Sequence, residues 1–106
     1  MNEIFLKKTD VLPVLQTIVS GENGVLDLSN FTGVNFAYRQ RYTGVATVSS
    51  GRIVNASAGV VEFQWTTNVT STPGVYFGEW RLLGVSGQRS YPQSNYINFE
   101  IISGLI

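Results

Sequence analysis

Apolar and polar residues alternate with a period of two along most of this chain, and no segment sustains the period of a helix. The alternation is clearest over residues 60–66, 75–83 and 97–102. Gly, Asn and Ser recur between such segments at short intervals. This pattern is typical of short β-strands joined by turns, and about seven to nine strands at this spacing predict an all-β, antiparallel sandwich.

The first half of the chain carries further strand and turn signals. Asn23-Gly24 is a strong two-residue hairpin signal because both residues tolerate positive φ. Ser50-Gly51 predicts another tight turn, and Pro13, which has no backbone N–H, predicts an edge strand or a bulge. The strands predicted around these turns span residues 1–8, 12–19, 25–28, 34–42, 45–48 and 52–55.

Large aromatic side chains recur on one face of the longer predicted strands. Because successive side chains of a strand point to opposite faces, this arrangement predicts a buried face and not a row of rings displayed to a ligand. The aromatic residues that we expect in the core are Phe36, Phe63, Trp65, Tyr76, Trp80 and Phe99.

The strand after Pro73-Gly74 contains a spacing, Gly-x-Tyr-x-Gly, similar to the tyrosine corner of immunoglobulin-like sandwiches. In that corner a Tyr hydroxyl near the start of a late strand bonds back to the preceding backbone. Tyr76 has this position, and Gly78 then stands where antibody domains have a core Cys. A small residue leaves room for a large neighbour, and we expect Trp65 or Trp80 to fill it.

Composition narrows the range of functions. The 106 residues are enough for one domain, spanning residues 1–106, with its own core. The formal net charge is zero and only 13% of residues are charged, which argues against nucleic acid as a partner and leaves neutral surface for protein contacts. No stretch approaches the length needed to span a membrane, so no membrane partner is expected.

The absence of His and Cys removes the commonest general base, the commonest metal ligands and every thiolate. Glu62, Glu79 and Glu100 lie in the middle of predicted strands, where a facing pair is the arrangement that a glycosidase needs. Pairing with Arg on neighbouring strands explains them more simply. We therefore expect no enzyme activity, catalytic residue, metal site or cofactor.

Arg39, Arg41 and Tyr42 form a small basic and aromatic segment. Aromatic rings between Arg side chains can bind single-stranded nucleic acid. Because the chain has only 7 Lys and Arg residues, balanced by 7 Asp and Glu, a solvated strand face is the favoured interpretation.

The chain resembles the N-terminal domain of the phage baseplate upper protein family. The resemblance begins in the segment IFLKKTDVLPVLQ, where Thr9 replaces the Gly usual in that family, and it runs from about Ile4 to Ile101. The order and spacing of several short motifs carry it. These motifs are Val25-x-Asp27-Leu28, Ala58-Gly59-x-Val61-x-Phe63-x-Trp65, Gly74-x-Tyr76-x-x-Glu79-Trp80, and Tyr91-Pro92 followed by Tyr96.

The resemblance implies an immunoglobulin-like β-sandwich in a bacteriophage virion, with a structural or adaptor role and no catalytic residues. Family members usually continue into a long arm that leads to receptor-binding modules, whereas this sequence ends at Ile106. We therefore expect an accessory subunit of the tail, baseplate, neck or capsid surface. Its expected partners are other virion proteins, including further copies of itself.

Two sets of surface residues are candidates for binding. The apolar C-terminal segment predicts a subunit contact through Ile102, Leu105 and Ile106. The alternative function is a carbohydrate-binding module for adhesion to the host surface. In that case exposed tyrosines, for which the candidates are Tyr42, Tyr91 and Tyr96, stack on glycan.

Overall fold

The computed structural model describes residues 4–12, 14–21, 24–41, 45–92 and 95–104. Within these ranges the chain forms eleven strands and no helix. The strands are β1 (Ile4–Lys7), β2 (Leu15–Ile18), β3 (Ser20–Gly21), β4 (Gly24–Val25), β5 (Phe31–Gln40), β6 (Thr47–Ser50), β7 (Arg52–Asn55), β8 (Val60–Phe63), β9 (Gly74–Gly84), β10 (Gly87–Tyr91) and β11 (Ile97–Ile102).

The described strands form two main sheets, which confirms the predicted all-β sandwich. The larger sheet has the order β1-β11-β9-β5-β6, with β10 also paired to β9, and the smaller sheet has the order β2-β8-β7. The pairings are antiparallel except that β1 runs parallel to β11. In immunoglobulin terms β2, β8 and β7 have the places of strands B, E and D, while β5, β9 and β11 have those of C, F and G.

The hairpin predicted at Asn23-Gly24 is present, but its connection lies one residue earlier than predicted. Gly24 already belongs to β4 and pairs with Gly21, and Ser20 pairs with Val25, so residues 22 and 23 connect β3 to β4. Glu22 and Asn23 themselves lie outside the described residues, as does Pro13. The return strand is shorter than predicted and ends at Val25.

The turn predicted at Ser50-Gly51 does not join two strands of one sheet. β6 belongs to the larger sheet and β7 to the smaller, so the chain crosses between the layers here. A Cβ built on Gly51 would lie 2.9 Å from the Glu62 carbonyl oxygen and 3.3 Å from Cζ3 of Trp80. The backbone that crosses between the sheets passes so close to the core that a side chain at position 51 would clash, and glycine avoids this clash.

All six aromatic residues expected in the core are buried. Phe36 lies at the centre of the core. Its ring centroid is 4.9 Å from that of Phe63 and 5.0 Å from that of Trp80. Rings at these distances and tilted angles pack as aromatic pairs do in protein cores. The alternation in the sequence therefore identified the buried face of each long strand correctly.

The tyrosine corner is present. The Tyr76 hydroxyl donates a hydrogen bond to the Thr72 carbonyl oxygen at 2.7 Å. The expectation that Trp65 or Trp80 fills the space beside Gly78 is wrong, because a Cβ built on Gly78 would overlap the ring of Phe36. Phe36 lies on β5, directly beside β9, and its ring reaches diagonally across the sheet to Gly78.

Candidate functional site

The open side of the sandwich, between strand β1 of the larger sheet and strand β2 of the smaller, contains a groove of about 640 Å³. We call it the edge groove. Tyr91, the last residue of β10, and Pro92 and Tyr96, which lie between β10 and β11, also line it. The groove exists because β1 pairs with β11 and β2 with β8, so that the two strands leave a gap between their layers.

The lining of the edge groove is apolar at the bottom and partly exposed at the rim. Leu6, Leu15 and Trp65 lie at the bottom and are buried parts of the core. Phe5 and Ile18 stand at the rim, each 57% exposed. None of the described residues that line the groove is charged. The site therefore suits an uncharged ligand with apolar groups.

Two of the three tyrosines predicted to stack on glycan line this groove. Tyr91 lies at the end of β10, where it pairs with Trp80 and is partly buried. Tyr96 is 42% exposed, and its ring stacks on that of Phe77 with centroids 5.0 Å apart. One face of the Tyr96 ring is therefore already covered by protein. Tyr42 lies outside the described residues.

The predicted subunit contact falls elsewhere. Ile102 ends β11, pairs with Lys7 of β1 and is 39% exposed. It does not line the edge groove. Leu105 and Ile106 lie outside the described residues, so the contact through the C-terminal segment stays a prediction.

The free backbone edge of β1 is partly occupied by the chain itself. Lys8 N–H donates to the Ile102 carbonyl at 2.7 Å, so Lys8 faces β11 and the preceding residue, Lys7, faces away from it. Asp10 forms hydrogen bonds with both the backbone N–H and the backbone C=O of Lys7. Its Oδ2 accepts from Lys7 N–H at 3.1 Å, and its own N–H donates to the Lys7 carbonyl at 2.9 Å.

The free edge of β2 has no such cover in the described part of the chain, where β2 pairs with β8 alone. Val19 N–H donates to the Gly59 carbonyl at 2.8 Å, which continues the register of the β2–β8 ladder. Because successive residues of a strand direct their amide groups to opposite edges, Ile18 and Gln16 direct theirs away from β8. These two residues face the edge groove.

Side chains fix β2 from both of its faces. On the inner face, Trp80 Nε1–H donates to Thr17 Oγ1 at 3.1 Å, which links the two sheets. On the outer face, Glu62 accepts from Gln16 Nε2 at 3.1 Å and pairs with the Arg52 guanidinium at 2.8 Å. Two hydrogen bonds lower the pKa of the Glu62 carboxyl. The bond from Arg52 has the larger effect and the bond from Gln16 the smaller. The strand beside the groove is thus held in place before any ligand binds.

The three mid-strand carboxylates do not form a facing pair. Glu62 belongs to the smaller sheet and pairs with Arg52, as the simpler interpretation of the sequence expected. Glu79 and Glu100 belong to the larger sheet, where Glu79 pairs with Ala37 and Glu100 with Val75 and Phe5. The described residues contain no group of three or more His, Cys, Asp or Glu side chains that could hold a metal ion.

Arg39 belongs to an aromatic cluster that sequence reasoning missed. Its guanidinium carbon lies 5.6 Å from the Phe77 ring centroid and 6.0 Å from that of Tyr96, while that of Arg41 lies 5.7 Å from Phe77. Such contacts hold a cation against a ring face. The sequence pattern could not show the cluster, because Tyr96 reaches Phe77 only once β9 and β11 are neighbours.

Comparison with known proteins supports the fold. No protein-family model matches the sequence. None of the curated proteins matches it either. Among solved structures, the fold is similar to the "N-terminal domain of phage TP901-1 ORF48", with a TM-score of 0.54 and 13% sequence identity over 96% of this chain and 84% of that chain. Within the described ranges no helix is long and apolar enough to cross a membrane.

Proposed function

We propose that this chain is a non-enzymatic structural subunit of a bacteriophage virion and that it binds other virion proteins as an adaptor or accessory subunit. The observation that carries the proposal is the fold likeness to a phage protein domain, which extends over 96% of this chain. The motifs in the sequence that resemble a phage baseplate family point in the same direction.

The character of the edge groove supports a binding role. Its lining is uncharged, it has exposed apolar residues at the rim, and it adjoins the free edge of a strand. Exposed apolar surface next to an unpaired strand edge is typical of sites that contact another protein. The positions of Glu62, Glu79 and Glu100 do not favour a hydrolase. Glu62 belongs to the smaller sheet, and within the larger sheet Glu100 pairs with Val75, four residues along β9 from Glu79.

The composition of purified phage particles tests this proposal. The chain carries an epitope tag and is produced in cells in which the phage that encodes it is replicating. Particles are purified on a density gradient, and their proteins are identified by mass spectrometry. The chain is expected at a fixed ratio to the major tail or capsid proteins, whereas an abundant host protein serves as the control and is washed away. Particles that form without the chain would contradict the proposal.

Carbohydrate binding is the second candidate, because the structure brings Tyr91 and Tyr96 to the same groove. A glycan array probed with the full chain tests it, with Tyr96→Ala as the variant and Val85→Ala as a control on a distant exposed residue. Binding of one glycan class that is lost in Tyr96→Ala and kept in Val85→Ala would favour adhesion. The structural role predicts no glycan-specific binding.

A further inference from the structure

We propose that the edge groove receives one extended, uncharged strand from another subunit of the virion, which pairs with the backbone of Gln16 and Ile18 on the free edge of β2. This inference rests on the proposed function and names the kind of partner that the site takes. The added strand becomes the fourth strand of the smaller sheet.

The order of the sheets supplies the first argument. An immunoglobulin-like sandwich of the constant type has four strands, A, B, E and D, in one of its sheets. Here the described part of the smaller sheet has three, β2, β8 and β7, in the places of B, E and D. The place beside β2 that strand A would take is the edge groove, since β1 pairs with β11 of the other sheet.

The second argument is the direction of the backbone groups. It indicates that the partner is an extended strand and that it pairs with β2 and not with β1. Gln16 and Ile18 direct their N–H and C=O groups into the groove, and such groups form hydrogen bonds with another strand more readily than with a helix. The opposite wall is less suitable. Asp10 already binds the outward groups of Lys7, which leaves Phe5 as the outward-facing residue of β1.

The lining supplies the third argument, because it defines the side chains of the partner. An added strand directs every second side chain inward, toward Leu6, Leu15 and Trp65. Those inward positions must be apolar, since burial of an unpaired polar or charged group there is unfavourable. No described residue of the lining offers a charge to pair with. The partner segment is therefore an alternating sequence that is apolar on one face and uncharged throughout the part that enters.

Amide hydrogen exchange of the full chain in solution tests the pairing without requiring a virion. The probe is an acetylated and amidated peptide of alternating Val and Thr, with a Lys at each end for solubility. In the free chain we expect Gln16 and Ile18 amides to exchange fast and Thr17, which faces β8, to exchange slowly. Peptide is expected to slow Gln16 and Ile18 selectively and to shift the indole resonance of Trp65. Unchanged exchange at Gln16 and Ile18 at saturating peptide would overturn the proposal.

Matched variants separate the backbone from the side chain. Gln16→Pro removes an N–H that points into the groove and no bond of the β2–β8 ladder, so the fold is expected to persist while peptide binding is lost. Gln16→Ala removes the side chain that contacts Glu62 and retains the N–H, and it is expected to bind the peptide like the original chain. Equal binding by Gln16→Pro and the original chain would contradict strand pairing. If Gln16→Pro fails to fold, an N-methyl group at Ile18, introduced by chemical ligation, provides the same test.

Other occupants of the groove give different results. Maltoheptaose that shifts Tyr91 and Tyr96 and competes with the peptide would assign the groove to glycan and overturn the proposal. Protection of Gln16 and Ile18 that rises with protein concentration alone would make a second copy the occupant, also against the proposal. The proposed function can fail separately. Peptide binding together with absence of the chain from purified particles would refute the virion role and leave the strand site intact.

Discussion

The centre of the sandwich and its open side both lie between the larger and the smaller sheet, but they differ in how completely they are filled. At the centre, the ring of Phe36 occupies the space that Gly78 leaves and contacts Phe63 and Trp80. At the open side, β1 and β2 belong to different sheets, and a groove of about 640 Å³ separates them above the buried Trp65. The difference separates residues that stabilise the isolated chain from residues to which we assign the proposed contact with a partner.

Removal of Trp80 is expected to have the largest effect, because its side chain is fully buried between the sheets. Trp80→Ala should lower the free energy of unfolding by about 3–5 kcal/mol through lost contacts and a residual cavity. Urea denaturation followed by far-UV circular dichroism measures the change. Val85→Ala, at a site that is 88% exposed, is the control and should have almost no effect. A loss as small as that of the control would mean that the centre is not the stabilising region.

Thr17 tests the link between the two regions, because it belongs to β2 and its hydroxyl accepts the bond from Trp80 Nε1–H. Thr17→Val keeps the shape of the side chain and leaves the indole N–H without its partner. The expected loss of stability is about 1–3 kcal/mol, the cost of an unsatisfied buried donor. Thr17→Ser retains the hydroxyl and should recover most of the loss. Equal stability of the Val and Ser variants would show that the bond does not hold β2.

The pH dependence of stability tests the outer face of the smaller sheet. Hydrogen bonds from Arg52 and Gln16 lower the pKa of Glu62 in the folded chain. A carboxyl whose pKa is lower in the folded state stabilises the fold above its ordinary unfolded pKa, and this contribution is lost as the pH falls through the folded-state value. Stability should therefore decline in acid, and the decline should be smaller in Glu62→Gln. Because Glu62 is a surface group, the difference should be small, and identical pH profiles would contradict the pairing.

The rim of the edge groove should show the smallest effect. Ile18 is 57% exposed, and surface substitutions away from buried networks usually change stability by at most about 0.5 kcal/mol. Ile18→Thr should therefore melt at nearly the same temperature as the original chain in differential scanning calorimetry. A large loss would mean that the open side is part of the core, and the contrast between the two regions would disappear.

Local sequence patterns predicted the centre well. Alternation identifies which face of a strand is apolar, so burial of Phe63, Trp65 and Phe99 followed from the sequence. The Gly-x-Tyr-x-Gly spacing likewise predicted the corner at Tyr76. These features depend on residues within one strand or its adjoining turn, which are neighbours both in the sequence and in the folded structure.

The open side could not be predicted in the same way, because it depends on which strands become neighbours. The turn at Gly51 looks like the end of a hairpin, and only the sheet order shows that it crosses between layers. The neighbour of Gly78 is Phe36 because β5 lies beside β9, a long-range pairing that alternation does not encode. The edge groove has the same origin, since β1 and β2 are close in sequence but pair with different sheets.

The most direct test of this account is a cryo-electron microscopy map of purified particles at a resolution that shows individual strands. We predict this sandwich on the particle, with density for an extended segment of another subunit beside β2, paired with Gln16 and Ile18. We predict no such segment beside Lys7, because Asp10 already binds the backbone N–H and C=O of that residue. A particle in which the sandwich is bound with the edge groove empty, through the surface around Ile102 alone, would contradict it.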